Sequence, residues 1–329
     1  MRITIIGAGV AGLVTAVELA GRGARIEIVE RAERLGTLAC AWFAGGMLAP
    51  WCEQATAEPQ VAVLGAAAIA WWQQHFEGTV CRGTLVVAAG RDVGELGLFG
   101  RRTERFESVD ARQIGALEPE LAGRFQQGLF FPEEAHLDPR RALQALAARL
   151  NAIGVSIRYG VDADAARLDA DQVIDCRGIA ARDTLKDLRG VRGEMIMVRA
   201  PEIQLSRTLR LLHPRFGVYV VPRGEGIFML GGTLLENDSH GPVSVRSAMD
   251  ILNAAYALHP AFAEAEILEL GVGVRPAFPD NLPRVFRHGR TLHVNGLYRH
   301  GFLLAPAVAR QAAQILFPNT SQASSCISS

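Results

Sequence analysis

Three glycines near the start of the chain restrict its fold more than any other feature. They form the motif Gly7-Ala8-Gly9-Val10-Ala11-Gly12, which follows a β-branched run at residues 2–6 and precedes a segment of good helix formers. In this spacing the first glycine allows a tight turn, the second admits a pyrophosphate, and the third lets the helix pack against the strand. A second short strand at residues 25–30 completes the unit. The sequence therefore predicts a strand–helix–strand unit that binds a dinucleotide.

Glu30 supports this interpretation because it ends the second predicted strand, 18 residues beyond Gly12. An acid at this position accepts hydrogen bonds from ribose hydroxyls and repels a 2′-phosphate. The preceding helix N-terminus offers unpaired N–H groups to the phosphates. The alternative is an ordinary glycine turn with Glu30 as a solvated strand end. The motif leaves FAD and NAD open. Flavin reductases fed by NAD(P)H usually need a second such fingerprint, so if the cofactor is a flavin, we expect its electrons to come from the substrate.

Composition excludes several classes of protein. The 34 basic and 34 acidic residues give a net charge of zero, so nothing steers the chain toward nucleic acid or an anionic membrane. No uninterrupted apolar stretch reaches the roughly 18 residues of a membrane span. The five cysteines are odd in number and widely spaced, which argues against a disulfide framework or a metal site. We expect a cytoplasmic protein with no bound metal.

The order of predicted elements indicates an α/β fold with two domains. We expect a helix over residues 61–76, a strand over 83–89, a helix that begins at Asp138-Pro139, and a final helix over 305–316. Short strands between residues 193 and 231 predict an antiparallel sheet. The predicted FAD-binding domain is Rossmann-like, of the glutathione-reductase type, and is assembled from residues 1–80, 135–192 and 270–329. The predicted substrate domain comprises residues 81–134 and 193–269.

Some charged and titratable residues are predicted to have no chemical role. The acids of Glu118-Pro-Glu120 and Glu133-Glu134 are interpreted as solvated loop residues. His136 and His213 lack a metal-ligand spacing, so we interpret them as structural.

Five further segments carry recognisable patterns. They are Ala44-Gly-Gly-Met-Leu-Ala-Pro50, His136-Leu-Asp-Pro139, Val173-Ile-Asp-Cys-Arg-Gly178, Gly271-Val-Gly-Val-Arg-Pro276, and Gly296-Leu-Tyr-Arg-His-Gly-Phe-Leu-Leu-Ala-Pro306. Together they resemble the D-amino acid oxidase superfamily, and most closely the glycine oxidases of thiamine biosynthesis. The matches run from residue 3 to about 316, so the resemblance covers nearly the whole chain.

The resemblance implies positions for FAD along the chain. The ADP portion is expected at the glycine motif and near Glu30 and Arg31, with Ala163 at the adenine end and Gly178 after a strand. The pyrophosphate, ribityl chain and isoalloxazine are expected near Cys40, Ala41, Gly45, Gly46 and Met47. The flavin ring is expected to be wrapped from the other side by Leu297, Tyr298, His300, Gly301, Phe302 and Leu303.

Two arginines match the family's substrate positions. The resemblance implies that Arg275 and Arg299 lie near a substrate carboxylate. A planar guanidinium grips a carboxylate with two parallel hydrogen bonds, which fixes its orientation as lysine would not. The alternative for each arginine is a structural salt bridge. Tyr219 is a third candidate for the carboxylate, and its alternative is a core tyrosine.

The implied reaction is the oxidation of a small amino acid, with glycine, sarcosine and D-amino acids as candidates. The amine form is expected to lose a hydride to the flavin, the imine then hydrolyses to a 2-oxo acid and ammonia, and oxygen is reduced to hydrogen peroxide. We nominate no catalytic base, because orientation and the cofactor carry the chemistry. The alternatives are a secondary-amine dehydrogenase with another electron acceptor and a non-catalytic flavin-binding subunit. A homo-oligomer is left open, since relatives often associate.

The chain also departs from the family pattern at two places. Related sarcosine oxidases attach FAD through a cysteine near the C-terminal glycine motif, but here the one cysteine after Cys176 is Cys326, in the tail. We therefore expect non-covalent FAD. Trp42 and Phe43 are bulky where relatives often have small or hydroxyl residues, which predicts either a reshaped pocket or packing behind it.

Overall fold

The computed structural model describes residues 1–214 and 216–318, so Cys326 lies outside the described residues. Its helices are α1 Val10–Ala20, α2 Pro50–Glu53, α3 Pro59–Gly65, α4 Ala68–His75, α5 Gly94–Gly100, α6 Ala111–Leu117, α7 Pro139–Ala152, α8 Val245–Leu258 and α9 Gly301–Leu316. The first eight strands are β1 Arg2–Ile6, β2 Arg25–Val29, β3 Met47–Leu48, β4 Thr84–Ala88, β5 Glu107–Asp110, β6 Gln127–Phe131, β7 Ala135–His136 and β8 Ser156–Arg158. The others are β9 Gln172–Asp175, β10 Arg189–Arg199, β11 Thr208–Leu212, β12 Val218–Gly224, β13 Ile227–Gly231, β14 Glu266–Ala277, β15 Arg284–His288 and β16 Thr291–Asn295.

The chain divides into two compact units, each made of separate segments. The first unit contains residues 1–42, 140–189 and the described part of 275–329, and the second contains 43–139 and 190–274. The second unit also contains four segments that were predicted to belong to the FAD-binding domain. These segments are residues 43–80, 135–139, 190–192 and 270–274. The reason is visible for α2, where Ala49 and Cys52 pack into a buried cluster with Val86 and Phe131.

The first unit is built on a six-stranded sheet in the order β15-β16-β9-β1-β2-β8. β1 is paired in parallel with β2 and β9, which are in turn parallel to β8 and β16. α1 follows β1 and packs along α9, and its Leu13, Val14 and Leu19 are fully buried. Because β1, β9 and β16 are parallel, their carboxyl ends reach the same edge of the sheet. The segments that follow Ile6, Asp175 and Asn295 therefore lie together there.

The second unit contains an eight-stranded sheet in the order β14-β10-β13-β12-β11-β4-β6-β5. β12 is antiparallel to β11 and β13, β13 is antiparallel to β10, and β11 is parallel to β4. α8 covers part of this sheet and places Ile251, Ala255 and Leu258 in its core. The predicted α/β fold, with one mainly parallel and one mainly antiparallel sheet, is confirmed.

Two predicted helices have different bounds in the structure. The helix expected over 61–76 is two helices, α3 and α4, which are separated at Ala66 and Ala67. α3 ends on Gly65, and glycine is among the poorest helix formers. The final helix begins at Gly301 rather than 305 and contains Pro306 in its first turns. Pro306 is the sixth residue of α9 and has no N–H to donate to the carbonyl of Phe302, so the helix lacks one internal hydrogen bond there.

Glu118 and Glu134 are not solvated, so the interpretation of both as loop acids was wrong. Each is only 1% exposed. Glu118 accepts hydrogen bonds from the hydroxyl of Ser206 at 2.7 Å and from Nε of Arg207 at 2.8 Å. A buried carboxylate is stable when such partners replace its water.

His136 is buried, and its structural interpretation fits this burial. Burial, together with the positive charges of Arg223 and Arg82, lowers the pKa of His136 to about 3. The imidazole is therefore neutral at ordinary pH. Among the described residues, no helix is long and apolar enough to cross a membrane.

Candidate functional site

The glycine motif adopts a turn that leaves no room for side chains at two of its positions. Gly7 has φ +102°, and a Cβ there would lie 2.8 Å from the carbonyl oxygen of Cys176. A Cβ on Gly12 would lie 1.9 Å from the carbonyl oxygen of Gly7, so only glycine permits this contact between helix and turn. Gly9 is different, because the nearest atom to its Cβ position is Cβ of Ala39 at 3.9 Å. The space beside Gly9 is what the approach of a phosphate requires.

Glu30 holds the same turn through its carboxylate. Its two oxygens accept hydrogen bonds from the backbone N–H of Ala8 at 2.7 Å and of Ala32 at 2.9 Å. Each carboxylate oxygen can accept more than one hydrogen bond, so capacity for ribose hydroxyls remains. Glu30 thus shapes the turn, a role that the sequence analysis did not include.

The N-terminus of α1 is suited to an anion. Its N-cap residue, Gly9, makes no side-chain capping hydrogen bond, and the first turn of the helix contains no acidic residue. The first N–H groups of a helix have no partner inside it and carry a partial positive charge. The backbone of Val10 and Ala11 therefore fits the pyrophosphate of a dinucleotide, as does the open position at Gly9.

The residues predicted for the adenine end lie where the strands β2 and β8 end. The backbone N–H of Val161 donates to the carbonyl of Glu30 at 2.9 Å, and Ala163 follows two residues later. Ala163 packs at the edge of a buried cluster that contains Val29. Arg31 is exposed. The predicted ADP residues of the first unit are thus neighbours along one end of its sheet.

The second group of predicted residues follows the other parallel strands at the same edge. The side-chain amide of Asn295 donates to the carbonyl of Gly178 at 2.9 Å. The backbone N–H of Tyr298 donates to the carbonyl of Pro276 at 3.0 Å. These two bonds tie the segment after β16 to the segment after β9 and to the end of β14.

The turn between β16 and α9 is packed tightly against the first helix. A Cβ on Gly301 would lie 3.3 Å from Cγ1 of Val10, so the two helices approach closely there. Leu297, His300, Phe302 and Leu303 are all buried. Tyr298 has φ +50°, which turns the chain between these buried positions. The structure therefore brings Gly301 of the C-terminal motif next to Val10 of the glycine motif.

The two candidate substrate arginines lie in this part of the first unit. Arg275 and Arg299 are both half-buried, at the end of β14 and in the turn before α9. Burial raises the pKa of the Cys40 thiol, and the positive charge of Arg275 acts in the opposite direction. Cys40 and Ala41 belong to a short 3-10 turn at residues 40–43. The candidate carboxylate ligand therefore acts electrostatically on the predicted cofactor segment.

Trp42 and Phe43 do not share one environment. In the first unit, a Cβ on Gly36 would lie 2.0 Å from Cε3 of Trp42, so the indole covers Gly36. In the second unit, Phe43 occupies the space beside Gly271, 2.7 Å from that residue's Cβ position. Both side chains fill space beside a glycine, which corresponds to the packing alternative.

The remaining predicted residues belong to the second unit. A Cβ on Gly45 would lie 2.9 Å from the ring of Tyr219, and one on Gly46 would lie 2.2 Å from the carbonyl oxygen of Leu137. Met47 begins β3, which pairs with β7 opposite His136. Tyr219 therefore packs directly on the predicted flavin segment, and this contact explains why Gly45 is a glycine.

Sequence reasoning missed a buried carboxylate next to this segment. Glu134 accepts hydrogen bonds from the backbone N–H of Trp51 at 3.1 Å and of Cys52 at 2.7 Å, at the start of α2. Burial raises its pKa to about 7, while the hydrogen bond from the backbone N–H of Cys52 acts in the opposite direction. No local pattern marks such an acid, because its partners lie 82 and 83 residues away in the sequence.

Comparison with known proteins gives a consistent result. A family model described as FAD dependent oxidoreductase matches residues 2–315. A Rhizobium etli protein provisionally named thiamine biosynthesis oxidoreductase ThiO is 55% identical over 323 residues, which are 98% of each chain. A glycine oxidase of Pseudomonas aeruginosa is 26% identical over 96% of this chain and 94% of that protein. The crystal structure of glycine oxidase from Geobacillus kaustophilus matches with a TM-score of 0.81 and 24% identity, over 96% of this chain and 94% of that chain.

Proposed function

Because the chain belongs to the FAD dependent oxidoreductase family, we propose that it oxidises a small amino acid, with glycine as the first candidate. The predicted cofactor, FAD, and the predicted class of enzyme are confirmed by this membership. The observation that supports an amino acid as the substrate is the position of Arg275. This arginine is half-buried, and its charge acts on the thiol of Cys40. The carbonyl of the next residue, Pro276, accepts a hydrogen bond from the turn that carries Arg299.

The arginines are proposed to bind and orient the substrate. A small amino acid offers one carboxylate as its strongest anchor, and a guanidinium holds that group in a fixed plane through parallel hydrogen bonds. Arg275 carries this role, and Arg299 adds a second cation in the neighbouring turn. A substrate held at its carboxylate presents its Cα–H in one direction, which lowers the entropic cost of reaching the reactive geometry.

Other predicted residues contribute packing and polar contacts. The N-terminus of α1 and Glu30 are proposed to hold the ADP portion of the cofactor. The buried residues Leu297, Phe302 and Leu303 exclude water from the segment before α9. Tyr219, which packs on Gly45, is proposed as a further candidate for the carboxylate. No side chain is assigned as a base, because an uncharged amine can be oxidised without one.

When bound, FAD would supply two-electron redox chemistry to this site. The proposed overall reaction converts the amino acid, oxygen and water into a 2-oxo acid, ammonia and hydrogen peroxide. The name of the Rhizobium etli relative places that protein in thiamine biosynthesis, and we extend this setting to the present chain as part of the proposal. A cytoplasmic location is proposed on the cysteine usage.

A panel of amines tests this function. FAD-reconstituted protein is supplied with glycine, sarcosine, proline and several D-amino acids, while oxygen consumption, hydrogen peroxide and the 2-oxo acid are measured. We expect equal amounts of peroxide and 2-oxo acid from at least one primary amino acid. Oxidation of secondary amines that requires an artificial acceptor would favour the dehydrogenase instead. Protein that stays colourless after reconstitution with FAD would refute both.

A further inference from the structure

The loop of residues 44–47, here called the flavin loop, has two successive carbonyl groups that accept hydrogen bonds from one arginine. Nη2 of Arg223 donates to the carbonyl of Ala44 at 3.2 Å and to that of Gly45 at 2.8 Å. The next carbonyl, of Gly46, accepts from the backbone N–H of Leu137 at 2.9 Å. Nη1 of Arg223 also donates to the carbonyl of Leu137 at 2.9 Å. One guanidinium therefore joins the loop to the segment that pairs with it.

These bonds determine where the N–H groups of the loop point. In a planar trans peptide the C=O and the N–H point in opposite directions. When the carbonyls of Ala44 and Gly45 face Arg223, the N–H groups of Gly45 and Gly46 face away from it. The positive charge at the carbonyl end also polarises both peptide units, which makes these N–H groups stronger donors. Two adjacent, fixed donors of this kind suit an electron-rich acceptor.

The sequence builds this arrangement from strand β12. Arg223 lies at a register shift in the pairing of β12 with β13, between Pro222 and Gly224. A bulge of this kind redirects a side chain out of the regular alternation of the strand. Tyr219, four residues earlier on the same strand, packs on Gly45. The strand thus supplies one residue that supports the loop and one that sets the direction of its peptides.

The two glycines are required by the same contacts. Gly46 has φ +72°, and neither glycine has room for a Cβ. The loop consequently presents main chain rather than side chains at these positions. Its shape depends on Arg223, since the guanidinium supplies both hydrogen bonds to the carbonyls of Ala44 and Gly45 described above.

We propose that Arg223 is a positioning residue that aims the N–H groups of Gly45 and Gly46 as hydrogen-bond donors toward the polar edge of the isoalloxazine ring. This inference rests on the proposed function in one respect, namely that the flavin loop contacts the ring of FAD. It adds a residue that the family pattern at Ala44–Pro50 does not contain. The competing explanation is that Arg223 only stabilises the fold of the second unit.

The test uses reconstituted full-length protein with Arg223→Met, Arg223→Lys and the control Arg124→Met. Arg124 is an arginine of the same unit whose Nε donates to a main-chain carbonyl, that of Leu258, at 3.0 Å. The readouts are the FAD dissociation constant, the visible spectrum of the bound flavin, its reduction potential, and the melting temperature of the apoprotein.

Loss of two charge-assisted hydrogen bonds should raise the FAD dissociation constant of Arg223→Met about tenfold or more, lower the flavin potential and shift the visible spectrum. Arg223→Lys should restore part of each change, because an ammonium keeps the charge without the fork of donors. Arg124→Met should change only the melting temperature.

The proposal would be overturned if Arg223→Met had the same FAD affinity, visible spectrum and reduction potential as wild type. It would also be overturned if Arg124→Met changed these three properties as much as Arg223→Met does. If Arg223→Met does not fold, Arg223→Lys decides, and wild-type values in that variant would be equally decisive. None of these readouts needs an amine substrate. A chain that passes this test but oxidises no amino acid would refute the proposed function and leave the role of Arg223 intact.

Discussion

The contrast between Gly12 and Gly9 gives the sharpest test of how the glycine motif works. In Gly12→Ala the new Cβ would lie 1.9 Å from the carbonyl oxygen of Gly7. Real Cβ atoms essentially never approach another heavy atom more closely than 3.0 Å. The carbonyl oxygen is a main-chain atom and a Cβ has no rotatable bond that could move it aside, so α1 must move away from the turn. Overpacking of this kind costs about 1–3 kcal/mol, and a main-chain clash this close lies at the upper end. The higher helix propensity of alanine returns about 1 kcal/mol.

Gly9→Ala is the matched control, because the new Cβ has nothing nearer than 3.9 Å. Alanine is a poorer N-cap than glycine by several tenths of a kcal/mol, but it also reduces the entropy of the unfolded chain by a similar amount, so the two effects roughly cancel. The apoprotein of Gly9→Ala should therefore melt within about 2 °C of wild type. Its FAD dissociation constant should nevertheless rise, since a methyl group now lies where the pyrophosphate approaches.

The assay is thermal melting of both apoproteins, followed by FAD titration. We expect Gly12→Ala to lose about 1–2 kcal/mol, or about 2–8 °C in melting temperature, and Gly9→Ala to lose affinity without losing stability. The reasoning would be refuted by an apoprotein of Gly12→Ala as stable as wild type. It would equally be refuted by FAD affinity that is unchanged in Gly9→Ala.

Three further predictions concern charged residues. Burial raises the pKa of Glu134 from 4.5 to about 7, so its contribution to stability is fully present below about pH 4.5 and falls, by up to about 3 kcal/mol, as the pH rises to about 7. Glu134→Gln should therefore melt at a higher temperature than wild type at pH 8, and this difference should disappear toward pH 5. Melting temperatures of the two proteins that change in parallel with pH would contradict this. Arg192 is bound to the buried carboxylate of Glu194, so Arg192→Met should lower the free energy of unfolding, measured with denaturant, by about 3–5 kcal/mol. Arg192→Met combined with Glu194→Leu should lower it less, because no unpaired buried carboxylate remains. An equal loss in both variants would show that an unpaired charge is not the cause. Arg275→Ala should raise the KM for the amino acid about 10–100-fold in steady-state kinetics, and an unchanged KM would remove Arg275 from the carboxylate site.

Local patterns in the sequence were sufficient for the first unit's framework. Gly7 and Gly12 could be assigned because their spacing follows from steric needs that the neighbouring strand and helix create. The helix at Pro139 could be placed from its N-terminal signal, and its Leu143, Leu146 and Leu150 are fully buried as one face. In each case the cause lies within a few residues of the effect.

Residues whose roles depend on distant partners could not be assigned in this way. Arg223 carries no local signal of its role, because its carbonyl partners at Ala44 and Gly45 lie 179 and 178 residues away. Glu118 looked like a loop acid because Ser206 and Arg207 lie 88 and 89 residues away. A single sequence carries hydropathy and local propensity, but it does not state which polar groups will meet when the sheets form.

Anaerobic addition of glycine to the FAD-bound protein, with the visible absorbance of the flavin followed, tests amino acid oxidation most directly. We expect glycine, or another small amino acid of the panel, to bleach the flavin and air to restore its colour. Dithionite serves as the control that the bound flavin can be reduced. A flavin that dithionite bleaches but no amino acid of the panel does would contradict the claim that this chain is an amino acid oxidase.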